Sequence, residues 1–244
     1  MGRSLADFEL LSFDCYGTLI DWETGIWDAV QPLLARHGGG LTRDRALAGF
    51  GSHESRIQAE RPTLPYPDVL AAVHAELAAS TGLVTTAELD CDFGRSVPHW
   101  PAFADSAEAL RSLAQRYRLV ILSNVDRASF AASERKLGIR FDAVYTAEDI
   151  GSYKPAPRNF DYLVKQVRRD FGLGPDAILH TAQSLHHDHV PARAIGLANA
   201  WIDRQGLSRG GGWGATAGVA ERPATDFLFY SMGELAAAAA EAQA

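Results

Sequence analysis

Phe8-Glu9-Leu10-Leu11-Ser12-Phe13-Asp14-Cys15-Tyr16-Gly17-Thr18-Leu19 is the stretch that decides the fold. Residues 8–13 form a short apolar run near the N-terminus and read as a buried strand. Asp14 follows at the carboxyl end of that strand, where open α/β sheets build their sites. Gly17 permits a tight turn beside it. A carboxylate in this place is a candidate nucleophile, because it can form a covalent ester. A capping or turn aspartate would leave the same pattern, and the segment alone does not choose between them. Strand alternation turns Cys15 to the face opposite Asp14, so it is expected to pack in the core.

Working outward, residues 21–97 are largely helical in pattern. Ile26, Trp27, Val30, Leu33 and Leu34 recur at helical spacing, and His37-Gly38-Gly39-Gly40 ends that helix. Thr42, Asp68 and Thr86 are the expected caps of three further helices, the first running through Leu47, Phe50 and Ile57. From residue 98 the chain alternates. Helices are expected over 106–117, 129–137, 159–171 and 191–195, and strands over 119–122, 143–146, 178–181 and 197–202. A last strand over 226–230 and an alanine-rich helix from Gly233 close the chain. Such β-α-β repetition argues for a parallel sheet with helices on both faces. The glycine-rich residues 209–218 read as an exposed loop, because they follow no strand-turn-helix pattern of a phosphate cradle.

Three more strand ends carry polar residues. The second strand runs into Ser123-Asn124. Tyr153-Lys154-Pro155 follows the third, and Gln183-Ser184-Leu185-His186-His187-Asp188 follows the fourth. In this order of Asp, Ser-Asn, Lys-Pro and late Asp, the sequence resembles the haloacid dehalogenase superfamily. It is most similar to the L-2-haloacid dehalogenase (type II) branch, across roughly residues 8–230. The resemblance implies a Rossmann-like doubly wound parallel sheet core (residues 1–20 and 98–244) with an inserted helical cap (residues 21–97). It implies hydrolytic cleavage of a carbon–halogen bond in a short 2-haloacid, with no metal and no organic cofactor. In that reading Asp14 attacks carbon, Lys154 keeps Asp14 ionised, and Ser123 and Asn124 receive the substrate carboxylate or the halide. Asp188 positions water and helps to hold Lys154. By analogy the family also suggests a homodimer.

Tyr16 selects among the family's activities. Its phosphatases carry an aspartate two residues after the nucleophile, as general acid and base. A phenol is poorly matched to that task, whereas a halide leaves without a proton and needs only hydrogen-bond donors. Two departures stand out. The stretch 183–188 is one residue longer than the family pattern, so Ser184 stands in for the family serine, and His187 or Gln183 for its asparagine. The family's halide-receiving arginine has Gly51-Ser52 at its place, which leaves Arg56, one turn on, as the candidate. A Mg²⁺-dependent small-molecule phosphatase using Asp14, and a non-catalytic binding protein of the same fold, remain as alternatives. His186, His187 and His189 lack the spacing of a helical zinc pair, and no transition-metal site is expected.

The 244 residues suffice for one large α/β domain with an insertion. A net charge of −7 argues against nucleic acid and anionic membrane surfaces as partners and leaves a small-molecule substrate. Two cysteines imply no disulfide framework. No signal-peptide pattern or apolar span is visible, and the expected location is the cytoplasm.

Overall fold

The computed structural model describes residues 3–242. Six strands form one parallel sheet: β1 (Leu10–Phe13), β2 (Arg118–Ser123), β3 (Ala143–Thr146), β4 (Ile178–Ala182), β5 (Ala198–Ile202) and β6 (Phe227–Phe229). Their spatial order is β3-β2-β1-β4-β5-β6. The chain winds outward from β1 to β3, then returns to the other side of β1 and winds outward again. β1 is therefore central, and the strand order reverses at its edge with β4, where such sheets open a crevice at their carboxyl ends. Phe13 is in register with Ile121 of β2 and Thr181 of β4. The segments that follow all three strands consequently emerge side by side.

Both faces of the sheet are covered, as a parallel sheet requires. Alternation along β1 sends Leu10 to a cluster with Phe160, Leu163 and Val167, which lie on the helix Pro157–Phe171. Leu11, Phe13 and Cys15 enter the opposite cluster with Leu110, Leu113 and Leu235. Cys15 is fully buried there, as strand alternation led one to expect.

Between β1 and β2 the chain inserts α1 (Trp22–Arg36), α2 (Arg43–Glu60), α3 (Tyr66–Ser80) and α4 (Ala87–Gly94), before α5 (Ser106–Leu113) returns to the sheet. Thr42 and Thr86 cap α2 and α4 through their side chains. Asp68 does not cap α3. The cap is Pro65, three residues earlier, and the helix starts at Tyr66 with Pro67 in its first turn, where the missing N–H is no loss. The remaining helices are α6 (Arg127–Leu137), α7 (Ala147–Ile150), α8 (Pro157–Phe171), α9 (Val190–Ala194) and α10 (Met232–Glu241). α5 ends four residues short of the expected 117. α7 was not anticipated, and it arises because Thr146 and Asp149 close a capping box directly after β3.

The glycine-rich loop is exposed over residues 209–213 and at Gly218, as expected, with one exception. Ala215 and Thr216 are buried, not exposed. The Ala215 N–H donates to Glu23 of α1 at 2.8 Å. Its carbonyl lies so close to α2 that a Cβ on Gly51 would stand 2.2 Å from it. Only glycine at 51 permits this backbone approach.

Candidate active site

Lys154 is the hub. Its ammonium donates to Asp14 Oδ1 at 2.9 Å, to Asp188 Oδ1 at 2.7 Å and to the Leu122 carbonyl at 3.0 Å. Those bonds use every proton an ammonium has. The residue is only 2% exposed, so the cluster is a buried ion triad. Burial pushes the Lys154 pKa down, but Asp14 and Asp188 outweigh it and the net direction is up. Burial raises the Asp14 pKa, with Lys154 pulling against it. Burial also acts on Asp188, yet Lys154 and the bond from His180 carry its pKa well below the usual carboxylate range.

Local structure fixes each member. Gly17, at φ +92°, turns the chain after β1, and Thr18 Oγ1 comes back to donate to Asp14 Oδ2 at 2.8 Å. The same hydroxyl accepts from the Gln183 N–H at 2.9 Å, which ties the β1 turn to the end of β4. Asn124 clamps the Lys154 backbone, accepting from its N–H at 2.7 Å and donating to its carbonyl at 3.0 Å. His180 donates from Nε2 to Asp188 Oδ1 at 2.9 Å while its Nδ1 faces Ser12 Oγ at 2.9 Å. This tautomer is set by the carboxylate, which can only accept.

Asp188 lies in a π-helical turn, Leu185–His189. The His189 N–H reaches back to the Ser184 carbonyl at 3.3 Å. Such single wide turns absorb one residue inside a helix and recur at functional sites. Ser184 caps the turn through the His187 N–H at 3.0 Å.

A cavity of about 40 Å³, room for roughly three waters, opens above the triad. Asp14, Lys154 and Asp188 form its floor. Tyr16, Trp22, Asn124, Gln183, Ser184 and His187 form its sides, Thr216 of the glycine-rich loop closes one edge, and Glu54, Gln58 and Tyr66 from α2 and α3 face it from above. Of the residues singled out in the sequence, Asp14, Lys154, Asp188, Tyr16, Asn124, Ser184 and His187 thus meet around one space.

Two do not line it. Ser123 lies just behind Asn124, buried, and its hydroxyl has no partner among the described residues. Arg56 is on the outer face of α2, paired with Glu60 and Glu76 and 45% exposed in its side chain. The space beside Gly51 is filled by the Ala215 carbonyl, so no arginine enters there. Tyr16 is a wall. Its hydroxyl bonds Ser133 at 2.9 Å and its ring packs edge-on to Trp100. Burial pushes its pKa well up, away from proton transfer.

The three histidines diverge. His187 borders the cavity, and burial, with His186 beside it, lowers its pKa to about 3. His189 points to the core, between the Ala182 carbonyl and Asn199. Among the described residues, no three His, Cys, Asp or Glu side chains gather as a metal-binding group. Nor is any helix among them long and apolar enough to cross a membrane.

Sequence reasoning missed Thr18, His180, Glu54, Gln58 and Tyr66. Glu54 had a signal: it falls on the inward stripe of α2 with Leu47, Phe50 and Ile57, all buried. A charge on such a stripe marks either a site or a satisfied buried polar group.

No curated protein matches the sequence. Solved structures share its fold over almost the whole chain. A defluorinating L-2-haloacid dehalogenase superimposes with a TM-score of 0.76 at 20% identity, covering 99% of each chain. The L-2-haloacid dehalogenase of Xanthobacter autotrophicus with chloropropionic acid covalently bound gives 0.74 at 19%, covering 94% of this chain and 97% of that one. The magnesium-bound protein YfnB of Bacillus subtilis gives 0.73 at 18%, covering 93% and 96%. At these identities the likeness concerns the fold. A sequence profile of the haloacid dehalogenase-like hydrolases matches residues 8–180, the span holding Asp14, Ser123, Asn124 and Lys154, and the chain therefore belongs to the haloacid dehalogenase-like hydrolase family.

Proposed function

We propose that this hydrolase is a dehalogenase of short 2-haloacids, working through an ester on Asp14. The observation that carries the reading is the buried pairing of Asp14 with Lys154 under a small cavity covered by α2 and α3. A carboxylate attacks carbon well only when poorly solvated, and the ion pair keeps a buried one charged.

Asp14 attacks the carbon bearing halogen in line, forming a C–O bond while the halide leaves with the bonding electron pair. Thr18 holds Oδ2 and Lys154 holds Oδ1, so the carboxylate is oriented before the substrate arrives. Ser123, buried behind Asn124, does not line the cavity, so no contact with the substrate is assigned to it. Water then attacks the ester carbonyl of Asp14, releasing the 2-hydroxyacid and a proton. Asp188 Oδ2, buried and without a partner among the described residues, is the acceptor that can hold this water. His187, neutral and only weakly basic, borders the same space. The helices of residues 21–97 act as the cap that keeps bulk water out.

Halide release from L-2-chloropropionate and chloroacetate, measured with EDTA present, tests the reading. Release that disappears in Asp14→Asn is expected. No halide, together with Mg²⁺-dependent phosphate release from a phosphate ester, would replace it with the phosphatase reading. Tyr16 speaks against that outcome, because its hydroxyl is bound to Ser133 and cannot serve an alkoxide leaving group.

A further inference from the structure

The cap side of the cavity carries an acid and no base. Glu54 is 4% exposed and lines the same cavity as Asp14. Tyr66 donates to its Oε1 at 2.9 Å. Its other oxygen makes no hydrogen bond, and no lysine or arginine pairs with it, among the described residues. Lys154 has no proton to spare, since its bonds to Asp14, Asp188 and Leu122 use them all.

The charge count decides the state of this carboxyl. Asp14, Asp188 and Lys154 already leave the floor with one net negative charge. An ionised Glu54 would add a second, and an anionic substrate a third, inside a space of low dielectric where unpaired charge is costly. We propose that Glu54 serves the reaction as a neutral carboxylic acid, donating a hydrogen bond to the anion that occupies the cavity, above all to the halide as it departs. The inference rests on the dehalogenase reading, and it assigns to an acid the place where the family's arginine does not reach. A protonated carboxyl has one O–H donor, and a preorganised donor aimed at developing charge stabilises the transition state. No proton is transferred: the halide leaves as the ion, hydrogen-bonded to Glu54.

The groups facing Glu54 are Tyr66 on the cap side, and Asp14, Tyr16, Tyr153, Lys154, Asp188 and His187 from the sheet side. Burial pushes the Glu54 pKa up to about 7, Tyr66 pulls against this, and Asp14 adds to it. A bound anion pushes the same way as Asp14. The working form is the protonated one, so kcat/KM must fall as pH rises through the pKa of the free enzyme.

The test is kcat/KM for chloroacetate between pH 5.5 and 9 in the wild type, Glu54→Gln and Glu54→Ala. Above about pH 7 the wild type should fall toward tenfold per pH unit. Glu54→Gln retains an N–H donor that does not titrate, so its alkaline fall should disappear. Glu54→Ala should lose about 10- to 100-fold at pH 6, the range for a hydrogen bond to a charged group. An alkaline fall that persists in Glu54→Gln, or an unimpaired Glu54→Ala, would overturn the proposal. Bromide binding, read by quenching of the cavity-lining Trp22 against a Trp22→Phe control, separates it from the substrate reading. Bromide should bind the wild type more tightly at pH 6 than at pH 9, and Glu54→Gln with no such dependence. That result with no halide release would sink the dehalogenase reading and leave Glu54 as an anion donor. Bromide binding that ignores pH in the wild type would sink the role of Glu54, whatever the substrate.

Discussion

The ammonium of Lys154 lies 2.9 Å from Asp14 Oδ1 with both groups shut away from solvent. Removing either partner leaves a buried charge uncompensated, which is worse than having neither. Lys154→Met should therefore abolish turnover and also destabilise the fold by about 3–5 kcal/mol. Urea denaturation at pH 7 measures the second effect. An unchanged midpoint would mean that water enters the triad freely.

Thr18 holds the second oxygen of the nucleophile and the start of the β4 loop with one hydroxyl. Thr18→Val keeps the shape and deletes both bonds. It should cost about 1.5–3 kcal/mol of transition-state stabilisation, visible in kcat, while Thr18→Ser stays near the wild type. Equal losses in both variants would assign the effect to packing.

Gly51→Ala places a methyl group against the Ala215 carbonyl. The loop has to shift, and Thr216 shifts with it. Overpacking of this kind costs about 1–3 kcal/mol, and KM should rise more than kcat falls. A crystal structure of the variant with residues 213–217 unmoved would refute this.

Tyr66 lowers the pKa of Glu54 by donating to it. Tyr66→Phe removes the bond, so the Glu54 pKa rises and the alkaline limb of kcat/KM moves to higher pH. A limb that stays in place, or moves down, would detach Tyr66 from the titration.

His189 is buried neutral, with its pKa lowered to about 4 by desolvation. Unfolded, it titrates near 6.5. Its contribution is present above pH 6.5 and is lost as pH falls toward 4, because the unfolded chain binds the proton first. The difference amounts to about 3 kcal/mol. His189→Gln should flatten the fall in stability between pH 6.5 and 4.5, measured by denaturation at each pH.

The strands were legible because a buried parallel strand is an apolar run that ends abruptly at a polar residue, as at Phe13–Asp14 and Leu122–Ser123. Asp14 was legible for the same reason, while Lys154 and Asp188, further along the segments that follow β3 and β4, were legible from the order of the polar motifs. What escaped was set by contacts distant in sequence. Arg56 looked suitable as a cation on the right helix, but α2 turns it toward Glu60 and Glu76. Ala215 and Thr216 looked exposed with the rest of their loop because glycine-rich composition reports freedom of the backbone and not where the backbone goes. Glu54 was readable from the period of α2, yet its partner Tyr66 comes from another helix.

The wide turn Leu185–His189 shows what the architecture leaves open. Between β4 and Asp188 the chain holds a residue more than the pattern it resembles, and the carboxylate still arrives 2.7 Å from Lys154. The address of Asp188 is written by the ammonium it must meet. Adding or removing a residue in that turn would re-aim the side chains it carries, His187 among them, above charges that their own pairing holds in place.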